Sequence, residues 1–422
     1  MTTEQQTSPD LAAVQRRTLR LLVATQIAGG LGIGSAVSVT GLLALDLSGS
    51  KVWAGGGGTA VTLGAALLAV PLARMAARRG RRFSLTVGWA TAALGALVSV
   101  VAAATGAFWL LLVGLLAFGA GNAANLQSRY TAIDLAPAST RGRDLSVVVW
   151  STTIGSVIGP NLSGPGGAVA RSVGLPPLSG PILFSMAGFV VAAALVWVRM
   201  RPDPLLTAAA ARAELAAPAA GPPAPAPSSL SVVAQHPHAL LALVTIVCSQ
   251  AVMVSVMTMT PVQMKGHGAT LTLVGLTISL HIAGMYGLSP VFGWLSDRLG
   301  RVRVLLGGQG LLLLAALVAG TAGTSSVQLG VGLVLLGLGW SAGLIAGSTL
   351  LAESVPAEVR PAVQGTSDLL MNLVGAFGAA ISGVLMAVIG FGGLTAVAAA
   401  VVLPVLVLAA RARLVEPVLH LG

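Results

Sequence analysis

The sequence predicts an all-α membrane protein of twelve transmembrane helices, arranged as two pseudo-symmetric six-helix bundles. Three observations predict it: a charge-poor composition with recurring apolar runs, an internal repeat of about half the chain, and a one-sided placement of arginine.

The 422 residues are 55% hydrophobic and only 8% charged, whereas soluble domains carry about 25% charge. Such a chain cannot cover a water-facing surface. Each apolar run is about 20 residues long, enough to cross roughly 30 Å of hydrocarbon. Inside lipid every backbone N–H and C=O needs an internal partner, so the runs must be helices. The 54 glycines suit close helix packing in a bilayer. The expected spans are 20–45, 53–75, 83–104, 107–135, 145–170 and 178–200, then 239–263, 270–296, 302–324, 326–352, 363–390 and 392–412. They form an N-terminal bundle (20–200) and a C-terminal bundle (239–412), with tails at 1–19 and 413–422. Between the bundles, residues 201–238 read as an extended linker, because Pro218, Pro222, Pro223, Pro225 and Pro227 forbid a continuous helix.

The net charge is +11, and its distribution argues against nucleic acid. Arg16, Arg17 and Arg20 precede the first span, and Arg74, Arg78, Arg79, Arg81 and Arg82 end the second. Arg141 and Arg143 follow the fourth, Arg199 and Arg201 the sixth, and Arg298, Arg301 and Arg303 the eighth. The opposite loops hold only Lys51, Arg171 and Lys265. This bias places both termini in the cytoplasm of a bacterial cell, with the bundles in the inner membrane. The single cysteine, Cys248, excludes an intramolecular disulfide.

The halves repeat with an offset near 220 residues: RRGRRFSL around Gly80 answers DRLGRVRVLL around Gly300, and Gly155 answers Gly375. In the turn between spans eight and nine, Gly293, Asp297, Arg298, Gly300 and Arg301 lie in GWLSDRLGRVRVLL. This motif resembles the loop signature of the major facilitator superfamily, Gly-x-x-x-Asp-Arg-x-Gly-Arg. The first-half copy keeps Arg78, Gly80 and Arg81 but has Ala73 and Ala77 in place of the glycine and the aspartate. A charge latch is therefore expected in the second half. The resemblance implies a secondary transporter working by alternating access, with cargo held between the halves near the midplane. Gly155, Gly159, Pro160 and Gly164 in span five are similar to a Gly-Pro motif of antiporter branches, whereas span four has no mid-helix arginine of the drug-exporter kind; its Arg129 is near the helix end. All twelve acidic residues read as lying at or outside helix ends.

Spans seven and eight carry sulfur and imidazole instead. Met253 and Met257 are four apart, as are His281 and Met285, so each pair shares a helix face. Gln250, Thr260 and Met264 extend the first stripe. Consecutive antiparallel spans can turn the two pairs toward a common aqueous cleft, as steps from the outer surface inward. Thioethers and imidazole are ligands for Cu(I). A neutral thioether is also far cheaper to bury in lipid than a carboxylate, which costs about 2.5–3.5 kcal/mol or more. The matching first-half positions, Ile33, Val37, Val61 and Ala65, are apolar. The Met-x-x-x-Met and His-x-x-x-Met pair resembles the copper-importing branch of the superfamily, which implies copper as cargo and no bound cofactor. Methionine also fills gaps in ordinary apolar cores. The sequence therefore leaves open a proton-coupled carrier of a small organic molecule, with His281 titrating, and a non-transporting receptor on the same fold.

Asn122, Asn125, Gln127, Asn161, Gln250, Trp340 and Asn372 are further candidates to line the cavity. No nucleotide-binding or hydrolytic motif is present, so no enzyme activity is expected. The expected partners are the lipid bilayer and the solute, with the chain acting as a monomer.

Overall fold

The structure, a computed structural model, describes residues 10–37, 39–49, 51–215 and 228–415. The first span consists of α1 (Leu11–Val37) and its short continuation α2 (Thr40–Ser48). The second and third share α3 (Lys51–Thr105), and the fourth is α4 (Phe108–Thr131). The fifth is α5 (Arg141–Asn161) with α6 (Ser163–Ser172), bent by 60° at the break. The sixth is α7 (Gly180–Arg199), followed by α8 (Pro204–Leu215) and α9 (Ser229–Gln235). The second half has α10 (Pro237–Gly266), α11 (Leu271–Tyr286) with α12 (Ser289–Leu299), α13 (Arg301–Gly320), α14 (Ser326–Glu353), α15 (Arg360–Ala400) and α16 (Leu403–Val415).

Among the described residues, nine helices are long and apolar enough to cross a membrane, or ten with the bent pair. Two of these, Gly56–Thr105 and Arg360–Arg411, are 50 and 52 residues long, twice the length one crossing needs. Each breaks at a glycine with positive φ, Gly80 at φ 85° and Gly390 at φ 72°. The chain reverses at Gly80: Ser84 Oγ donates to the Leu72 carbonyl at 2.6 Å, residues that a straight helix would hold about 18 Å apart. Counting both breaks gives the expected twelve spans.

Two boundaries differ from expectation. Helix α1 begins at Leu11, inside the segment read as a tail, because Val14, Gln15 and Thr18 bury a face against the bundle. The linker is helical at both flanks: α8 buries Leu205 and Ala208, and α9 buries Val232 and Val233. The proline-rich centre and residues 416–422 lie outside the described residues.

Each half has its own apolar core. In the first, Trp89, Phe118 and Phe189 stack with centroids 4.9–5.7 Å apart. A smaller cluster joins the halves: Tyr130, Leu145 and Val149 pack with Ile345, Ala352 and the flanking Tyr286 and Phe292. It lies at the arginine-rich end of the molecule, where α5 packs on α12 and α3 on α15.

Candidate transport site and gate

The loop motif forms a latch across the halves. Asp297, on the last turns of α12, accepts from the Gly142 and Arg143 backbone N–H groups at 2.9 and 2.8 Å. These open α5 of the other half, so the carboxylate caps a helix N-terminus, where unpaired N–H groups and the helix dipole favour an anion. Arg301 donates to Asp297 at 2.6 Å, to Glu353 at 3.2 Å and to the Ala138 carbonyl at 2.6 Å. Arg141 reaches the same Glu353 at 3.4 Å. Gly293 lies against Gly142 and Ser146, where a side chain on either glycine would force the helices apart. Gly300 makes the turn at φ 93°. Arg298 takes no part in the crossing and stacks on Trp294 of its own helix.

The first-half copy latches as well, contrary to the expectation that this role had moved wholly to the second. Arg81 is buried and donates to Asp134 at 2.8 Å and to Gln364 of the other half at 2.7 Å. Burial holds the Asp134 carboxyl above its usual range, against the pull of Arg81. Ala73 stands where the motif has glycine, and the facing helix supplies Gly365 for the close approach. Arg78 remains exposed.

A third crossing is an ion pair that contradicts the reading of acidic residues as confined to helix ends. Asp368 is 0% exposed, about 12 Å along α15 from Arg360. Its Oδ1 accepts from Arg129 Nη2 of α4 at 2.6 Å, and the same nitrogen donates to the Tyr130 hydroxyl at 3.1 Å. Asp368 Oδ2 and Arg129 Nε and Nη1 have no partner. The repeat gave no signal for this pair, because the positions equivalent to Arg129 and Asp368 are Thr349 and Val148. All hydrogen bonds and ion pairs found between the two bundles among the described residues are at this one end, so the arginine-rich end is closed.

The metal candidates lie within the second half rather than in an open cleft. His281 is 0% exposed and directs Nδ1 to the Leu333 carbonyl of α14 at 2.8 Å. Facing a carbonyl, Nδ1 carries the proton, which leaves Nε2 with its lone pair; that atom is buried and unpartnered. Met285, one turn on, is 7% exposed. Gly337 of α14 abuts this stretch, and a Cβ there would lie 2.6 Å from the His281 carbonyl. Met253 is buried in the same apolar core, with half-buried Met257 packed against it. Thr260 and Met264 continue the stripe, buried as well. Helices α10 and α11 do not face each other along their length; α11 lies mainly on α14, and α10 packs on both α15 and α14. Trp340 bridges them, donating Nε1–H to Gln250 Oε1 at 2.8 Å and meeting Tyr286 edge-on at 5.7 Å. Among the described residues no three of His, Cys, Asp and Glu cluster as a metal site, so metal binding would rest on His281 and thioethers.

The other cavity candidates divide. Asn125 joins Gln26 and Thr152, at 2.9 and 3.1 Å from the Gln26 amide nitrogen. Asn122 is half-buried on the same helix. Asn372 donates to the Asp368 carbonyl at 2.8 Å, one turn beyond the ion pair. Gln127 instead serves the fold: it is buried, donates to the Ala69 carbonyl at 3.0 Å and accepts from Ser84 at 3.3 Å. Asn161 is exposed and bonds its own helix at Val157.

The model of the Major Facilitator Superfamily matches residues 21–267 and 241–421. The chain is 39% identical over 374 residues to the uncharacterized MFS-type transporter YddS of Bacillus subtilis (strain 168), covering 88% of this chain and 85% of that one. It is 27% identical over 376 residues to the riboflavin transporter RfnT of Brucella anthropi, covering 85% and 86%. Among solved structures, the human organic anion transporter MFSD10 superposes with a TM-score of 0.73 at 18% identity, over 94% of this chain and 99% of that one. With the family model matched across both bundles and a 39% identical transporter relative, the protein is a membrane transporter and not an enzyme, and the chain belongs to the major facilitator superfamily.

Proposed function

We propose that the chain is a secondary transporter of a bacterial inner membrane, acting as a monomer and importing copper as Cu(I) by alternating access. The arginine-rich end faces the cytoplasm. The closed latch there then corresponds to a state whose opening is to the outside. The observation that carries the cargo is the His281 ring. A buried polar atom without a partner costs about 1–3 kcal/mol, and Nε2 is such an atom. Its other nitrogen is fixed by a backbone carbonyl, the arrangement that orients metal-binding imidazoles. Met285 lies one turn away on the same face, and Met253 and Met257 carry further thioethers on α10, beyond the bridging Trp340. Copper is the cargo here, taken up in one state and released in the other.

The test is copper uptake into proteoliposomes containing wild-type protein, His281→Ala or Met253→Leu, with protein levels matched by immunoblot. Uptake should fall at least tenfold in the histidine variant and less in the methionine variant. Wild-type uptake in both sinks the proposal.

A small organic solute is the second reading. It is favoured by the similarity to a riboflavin transporter and by the aromatic and amide groups Tyr286, Trp340 and Gln250 beside the same helices. In that case riboflavin or a related planar solute is taken up, and copper is not.

A further inference from the structure

We infer that the groove between α1 and α7 at the arginine-rich end is a binding site for an anionic glycerophospholipid. The groove encloses about 610 Å³ and is lined by Arg16, Arg17, Arg20 and Arg199 above Leu21, Ala24 and Leu195. The four guanidinium groups come from two helices, three on the turn of α1 that enters the membrane and one on the last turn of α7.

Among the described residues their charge is scarcely compensated. Asp10 approaches Arg16 at 3.9 Å with both side chains more than half exposed, a geometry that contributes little. Among the described residues, Arg17, Arg20 and Arg199 have no carboxylate partner. Four like charges around one concavity repel each other, and the repulsion is relieved by an anion with several oxygen acceptors. Guanidinium forks fit phosphate oxygens two at a time.

The depth of the groove specifies a lipid. Trp197 is exposed on α7 within a turn of Arg199, with Arg82 over its ring at 4.1 Å and donating to its carbonyl. Such rings mark the headgroup level of a bilayer. Below the arginines the walls become apolar, so a bound phosphate has a continuous path for acyl chains but no such use for them if it is free. Basic pockets between transmembrane helices at this level recognise anionic headgroups. The site lies wholly within the first half, and Arg16 also lines the neighbouring groove with Arg143 and Asp144.

The experiment is native mass spectrometry of the purified full chain with added cardiolipin, phosphatidylglycerol, phosphatidylcholine or inorganic phosphate. Wild-type protein should retain one anionic lipid in preference to phosphatidylcholine. Each arginine near an anionic surface is worth about fivefold in affinity, so R16A/R199A should weaken retention roughly 25-fold. Ala24→Phe keeps every charge and fills the apolar floor, and it too should weaken retention while the protein folds and inserts. Equal retention of phosphatidylcholine, or displacement of the lipid by inorganic phosphate alone, would overturn the assignment. So would sensitivity to the arginines with indifference to Ala24→Phe, which would mark diffuse charge attraction.

Discussion

Removing one member of the Arg129–Asp368 pair should open the arginine-rich end. The ion pair is 2.6 Å long, both side chains are at most 1% exposed, and they come from different halves. Deleting one partner of such a pair leaves a buried charge with no counterpart and costs about 3–5 kcal/mol. The pair exists only while the halves are closed here, so that cost falls on the closed state. Even 3 kcal/mol changes the ratio of closed to open by about 10²-fold. The assay is the distance between spin labels at Ser139 and Arg303, exposed positions in the two halves near the latch, in a Cys248→Ser background. Wild-type protein should give a single short distance. Arg129→Ala and Asp368→Ala should each shift the population to longer distances. The double variant should lie nearer to wild type than either, because it leaves no unpaired charge. Distances unchanged in both single variants would refute the reasoning, as the pair would then contribute nothing to closure.

Three further outcomes follow from the same geometry. Gly337→Val should lower the yield of folded protein in size-exclusion profiles, because a side chain there meets the His281 backbone and separates α11 from α14; Gly307→Val, with open space around it, should not. Trp340→Phe keeps the ring but removes the donor to Gln250. It should destabilise the second half by about 1–3 kcal/mol, read as a fall in thermal midpoint. The Gly142 and Arg143 N–H groups bond different oxygens of Asp297, so Asp297→Asn retains an acceptor for only one of them and removes the charge that faces Arg301. Its label distances should shift less than those of Asp297→Ala, and equal shifts would show that a single remaining cap oxygen contributes nothing to the latch.

Much of the site was legible because its signals are local. Gly293, Asp297 and Arg301 stood out by their resemblance to the superfamily's loop signature, and a turn between two spans keeps such charges at one end. The co-facial pairing of His281 and Met285 follows from four-residue spacing on any helix. What those side chains meet was not readable. The partner of His281 is a backbone carbonyl 52 residues away, and every residue has a carbonyl, so no sequence pattern marks it. Arg129 and Asp368 are 239 residues apart and break the repeat. Asp368 near the start of a span reads like any helix-end carboxylate until the other half is placed against it.

The sequence by itself determined that this chain spans a membrane, how many times, and that its two halves are copies. Those properties come from hydropathy, arginine placement and periodicity, which act within one helix or between one helix and the lipid. Only the tertiary structure decided which end is closed, which arginine is buried, and that spans seven and eight meet through Trp340 of span ten rather than face to face. Such contacts join helices far apart in the chain, by 90 residues for Trp340 and Gln250 and by 283 for Arg81 and Gln364. They depend on how side-chain surfaces fit across the bundle, and the spacing along any single helix leaves that fit undetermined.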